Sequence, residues 1–115
     1  MKNLIYLSFG VVLAGAAACT SYAKTISTYE ITPKQTEIAN KRWSESNEAK
    51  LKHGKSIFTV QCTECHKAFV IEKFSEKKWN HEIDDMSPKA KLTAEEKQDL
   101  TYFVLSYLEM KQPAK

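Results

Sequence analysis

Glycine is scarce, with three residues in a chain of 115. A sandwich or barrel needs many tight turns, so that scarcity argues against both. Three cysteines are too few for a disulfide-dense scaffold. No sign of charge dominates: seventeen Lys and Arg against fourteen Asp and Glu leave a net charge of +3. The acids are interleaved with the lysines instead of leaving one basic face, which excludes a nucleic-acid partner. With 43% hydrophobic and 27% charged residues, the chain is neither a disordered tail nor a polytopic membrane protein. No run alternates polar and apolar residues as a strand would, and there is no internal repeat or low-complexity segment.

The N-terminus has the pattern of an export signal. Lys2 supplies the positive start, and Leu4 to Ala18 is almost uncharged. This run is shorter than the roughly twenty residues of a bilayer span and suits the apolar core of a signal peptide. Small-x-small sites at Ala16-Ala17-Ala18 and Ser21-Tyr22-Ala23 put the signal at 1–18 or 1–23. The first leaves Cys19 as residue one, the position that a bacterial lipoprotein needs for lipid attachment. A polar tether and a short helix are expected over 19–46, and the main domain over 47–112. A mature chain this small has little core of its own, so a stabilising cofactor would make sense.

The rest reads as helix throughout. Thr32-Pro33 is an N-cap followed by proline at the first helical position, opening a weakly amphipathic helix with Ile38 and Trp43 as its large apolar residues. A second helix is expected from about Asn47 to Val60, with Leu51, Gly54, Ile57 and Phe58 on one face. Its central glycine lowers helix propensity but lets another backbone come close. From Glu76 to Met86, the residues Trp79, Ile83 and Met86 repeat the helical spacing. Thr93 and Glu96 form a capping box for the last helix, whose stripe is Leu100, Phe103, Val104, Tyr107 and Leu108. The fold class is therefore all-α.

Cys62-Thr63-Glu64-Cys65-His66 is a C-x-x-C-H sequence, the attachment signal of c-type haem. Two thiols at this spacing can add to the two vinyl groups of one haem, and the adjacent histidine is then held under the iron. Zinc binding would need a second ligand pair, for which only His53 and His81 are available. A thioredoxin-type dithiol needs a βαβ context that is missing, and a Cys62–Cys65 disulfide would leave His66 without a role.

On these residues the chain resembles small monohaem cytochromes c of the class I kind. Gly54 to His66, read as G-x-x-I-F-x-x-x-C-x-x-C-H, is similar to the entry of that family, and Leu100 to Leu108 is similar to its closing helix. Trp79-x-x-x-Ile83-x-x-Met86 followed by Lys89-Ala90-Lys91-Leu92-Thr93 resembles a short bacterial periplasmic subgroup. The resemblance covers about residues 47–110. It implies N- and C-terminal helices crossing near one covalently attached haem c, with Phe103 or Tyr107 meeting Gly54. Cys62 and Cys65 would hold the haem, and His66 and Met86 would be the axial ligands of the iron.

Met86 closes the Trp79/Ile83 stripe, with Pro88 turning the chain after it. His/Met ligation raises the reduction potential, and His81 in place of Met86 would give a bis-histidine iron. On a helix, however, His81 faces away from the stripe. His53 reads as solvated, and Trp79 as packing against the haem edge. Between His66 and Thr93 six lysines face five acids, which is no basic patch. The resemblance thus implies an exported, periplasmic electron carrier and not an enzyme. Its partners would be redox proteins or a respiratory complex, without a small-molecule substrate, and a lipid on Cys19 would tether it to a membrane. The alternatives are a fixed haem subunit of a membrane respiratory complex and an open-site gas-binding or peroxidase-like haem protein.

Overall fold

A computed structural model of the chain describes residues 29–63 and 69–112. Its helices are α1 (Pro33–Arg42), α2 (Glu48–Thr59), α3 (Glu76–Lys89) and α4 (Ala94–Lys111), with single 3₁₀ turns at Gln61–Thr63 and Ile71–Lys73. No strand occurs among the described residues, so the all-α class holds.

The helix starts lie where the capping chemistry puts them. Thr32 accepts from the Gln35 N–H, Asn47 from Lys50 and Ser75 from Lys78. Thr93 and Glu96 close the reciprocal capping box, with Glu96 N–H to Thr93 Oγ1 at 3.1 Å and Thr93 N–H to Glu96 Oε2 at 2.8 Å. The end of α3 differs from the sequence expectation. Pro88 does not turn the chain; the helix runs through it to Lys89 and ends one residue later at Ala90. There the Lys91 N–H bonds to the Pro88 carbonyl and the Leu92 N–H to the Ser87 carbonyl, while Lys91 takes the left-handed conformation at φ 56°. This is the Schellman closure that usually selects glycine.

α4 is the axis around which α1, α2 and α3 pack. Every residue from Tyr102 to Leu108 is buried, whereas the sequence shows only one apolar stripe. The stripe meets α2 and α3, and the opposite side is covered by α1. Over this stretch the helix has no solvent face.

The contact with α1 is made by different residues from those the sequence singles out. Gln35 and Ala39 are fully buried, while Ile38 and Trp43 are only half-buried. Gln35 Nε2 donates to the Phe103 carbonyl and to Ser106 Oγ, both at 3.1 Å. Arg42 ties α1 to α3 through Glu76 at 2.7 Å and to α4 through Glu109 at 3.1 Å. Before the helix, Tyr29 is buried against Phe58, Phe103 and Tyr107. From Tyr29 onward the segment expected as tether plus short helix is part of the packed body.

The crossing of α2 and α4 is centred on Gly54. A Cβ built there would stand 2.8 Å from the Phe103 Cβ, 2.6 Å from the Asp99 carbonyl carbon and closer still to its oxygen. Of the two aromatics expected opposite Gly54, Phe103 is the one that meets it. One residue before the glycine, His53 Nδ1 lies 2.8 Å from Asp99 Oδ2. The Asp99 side chain is only 3% exposed, and its Oδ1 has no hydrogen-bond partner. His53 is therefore the partner of a buried carboxylate, which the sequence reading did not anticipate.

Removing the imidazole leaves that carboxylate unpaired. His53→Ala is expected to cost about 2 kcal/mol, and a double change with Asp99→Leu to recover much of the loss, because removing both polar partners abolishes the desolvation penalty. Urea titrations of the two variants check this. Equal losses in the single and double variants would show that the pairing carries no weight.

Candidate haem site

The C-terminal half of α2 leads into the 3₁₀ turn that carries Cys62, and the side chains around that turn line a narrow apolar cavity of about 20 Å³. Its walls are Phe58 and Cys62, Phe69 beyond the turn, Trp79, Glu82, Ile83 and Met86 of α3, and Leu100 and Val104 of α4. The cavity shares Cys62, Glu82 and Met86 with a wider, open cleft of about 270 Å³, where Gln61, Asp85, Lys89 and Ala90 form the rim. The cavity is apolar inside, and charged side chains of α3 stand at its opening.

Each wall position follows from local structure. Trp79, Ile83 and Met86 point the same way because they are four and then three residues apart on α3. Trp79 is fixed by a 2.8 Å hydrogen bond from its Nε1 to the Ile71 carbonyl and by edge contacts with Phe58, Phe69 and Phe74. Cys62 is half-buried, and burial pushes its thiol up to about 11. It is thus a neutral thiol near pH 7 and not an activated thiolate.

The mouth carries charge of both signs in pairs. Glu82 is held by Lys78 at 2.6 Å and Asp85 by Lys89 at 2.6 Å. These hydrogen bonds are the main cause that keeps the two carboxyls below their ordinary range; desolvation opposes the shift in both, outweighing the Lys78 charge at Glu82 but not the Lys89 charge at Asp85. The mixed balance of the sequence is therefore also the local balance at the opening.

The expected site residues stand as follows. Cys62 and Met86 line one cavity. Cys65, His66 and Cys19 lie outside the described residues. His81 is exposed on α3 and is not among the cavity walls, and His53 is engaged with Asp99. Among the described residues no group of three or more His, Cys, Asp or Glu side chains is arranged to hold a metal ion. Sequence reasoning passed over Glu82, although its place three residues after Trp79 and four before Met86 sets it on the same face. It also passed over Phe69, which sits outside any helix and so has no periodicity to reveal it.

The donor chemistry here is compatible with a haem: the lining is apolar apart from Glu82, it includes the neutral thiol of Cys62 from the C-x-x-C-H sequence, and it presents a soft thioether from another helix. Comparison of the chain with family models, with curated proteins and with solved structures found no match.

Proposed function

We propose that the protein is an exported c-type cytochrome that carries single electrons between redox partners. The observation that carries this reading is that Cys62, the first cysteine of the C-x-x-C-H motif, shares one apolar cavity with Met86. Cys62 and Cys65 would hold the haem covalently, and His66 and Met86 would be its axial ligands. When bound, the haem supplies a reversible one-electron couple. The protein's part is to keep the surroundings constant: Phe58, Ile83, Leu100 and Val104 exclude water from the cavity, and Trp79 is locked by its bond to Ile71. A site whose ligands and walls move little between oxidation states is suited to electron transfer and not to bond-making.

The cofactor reading is tested by the absorption spectrum of the protein secreted by a host able to attach haem c. A haem c spectrum that survives acid–acetone extraction is expected, and Cys62→Ser should shift the reduced band as one thioether is lost. Stoichiometric zinc with no haem would overturn the reading.

A further inference from the structure

A chain of redox-active side chains leads from the cavity wall to another face of the molecule. Trp79 lines the cavity, and its Nε1–H donates to the Ile71 carbonyl at 2.8 Å. The N–H of the same residue, Ile71, donates to the Tyr29 hydroxyl at 3.3 Å. The Phe58 ring also spans the gap, with centroids 5.9 Å from Trp79 and 5.6 Å from Tyr29. Tyr29 and Tyr107 stand 4.9 Å apart edge to face. Finally, the Tyr107 hydroxyl donates at 3.2 Å to Oε1 of Glu72, an exposed residue. The other tryptophan, Trp43, has its own neighbour in Tyr102 at 4.9 Å and belongs to a separate pair.

We propose that Trp79, Tyr29 and Tyr107 form a relay that moves an oxidising equivalent out of the cavity, with Glu72 accepting the proton of Tyr107. The oxidant is a radical of the alkoxyl class reaching the cavity: it takes one electron from the Trp79 indole and one proton from solvent and leaves as an alcohol. Trp79 becomes a radical cation. Its N–H faces a carbonyl too weakly basic to take the proton, so it remains a strong oxidant. One electron then passes from Tyr107 through Tyr29 to Trp79, and the phenolic proton of Tyr107 moves to the Glu72 carboxylate. Trp79 is restored and a neutral phenoxyl radical remains on the buried Tyr107, one hydrogen bond from the exposed Glu72; a soluble reductant can return the electron across that short distance as Glu72 returns the proton. The gain is local, because the oxidation-sensitive thioether of Met86 shares the cavity with Trp79. The route consists of the protein's own side chains and is independent of the haem reading.

The test uses the exported protein carrying Trp43→Phe, so that Trp79 is the sole indole. Azidyl radicals, which oxidise indole by one electron, are generated by pulse radiolysis, and the optical bands of the indolyl and phenoxyl radicals are followed in time, a readout that needs no reagent to reach the buried rings. The indolyl band is expected to decay as a phenoxyl band grows. Glu72→Gln, a change at an exposed residue, and Tyr107→Phe should each slow that conversion several-fold. Trp79→Phe should abolish the delayed growth, while Tyr102→Phe should leave it unchanged. An indolyl band that persists in the parent, or a conversion indifferent to both Glu72→Gln and Tyr107→Phe, would overturn the relay. Because azidyl acts on the indole directly, a spectrum without haem would count against the cofactor alone.

Discussion

Gly54→Ala is expected to destabilise the protein by about 3 kcal/mol, a fall of roughly 15 °C in Tm for a body of this size. The added methyl would lie 2.6 Å from the carbonyl carbon of Asp99 and 2.8 Å from the Phe103 Cβ. Neither obstacle is the tip of a flexible side chain, so α2 and α4 have to separate. Separation opens the packing around Leu51, Ile57 and Phe103, all essentially inaccessible to solvent. The better helix propensity of alanine offsets only about 1 kcal/mol of this. Ser56→Ala, an exposed change on the same helix, is the control and should stay within about 0.5 kcal/mol of the parent. Thermal unfolding followed by circular dichroism reads both. A Gly54→Ala protein as stable as the parent would mean that the helices do not cross this closely.

The second large effect concerns Met86 and rests on the haem reading. In the haem-loaded protein, Met86→Ala is expected to abolish the weak near-infrared band of ferric methionine ligation. It should also convert a protein indifferent to carbon monoxide into one that binds it stoichiometrically when reduced. The reduction potential should fall, because a neutral thioether favours ferrous iron. Lost packing would add a stability cost of about 2 kcal/mol, at the low end for such truncations because Met86 is only half-buried. His81→Ala should change none of these spectra, since His81 is exposed and is not a cavity wall. Loss of the low-spin spectrum in His81→Ala, with Met86→Ala unaffected, would reassign the ligand.

Several parts of the fold were legible because they depend on neighbours in the chain. The caps at Thr32 and Thr93 and the shared face of Trp79, Ile83 and Met86 are set by hydrogen bonds and side-chain directions within a turn or two. Gly54 could be marked as a place of close approach because no other property recommends glycine in mid-helix. The passage of α3 through Pro88 was not legible: a proline signals a break, and here the chain continues one residue past it before the closure around Lys91. The inward face of α1 was hidden for a different reason. Gln35 and Ala39 carry little hydrophobic signal, yet Gln35 is buried because the Phe103 carbonyl and Ser106 Oγ accept its amide hydrogens.

The site divides along the same line. Sequence alone determined the C-x-x-C-H sequence at Cys62, Cys65 and His66, the all-helical class, and Met86 as the thioether on the α3 stripe. All are matters of residue type and spacing, which the linear order preserves. Tertiary structure decided that Cys62 and Met86 line one cavity, that Glu82 joins its wall, that His53 is committed to Asp99, and that Tyr29 stands between Trp79 and Tyr107. Those pairings join residues tens of positions apart. They arise where α1, α2 and α3 close around α4, and the contacts made there depend on side-chain volumes and donor–acceptor matches between helices that no periodicity within a single helix records.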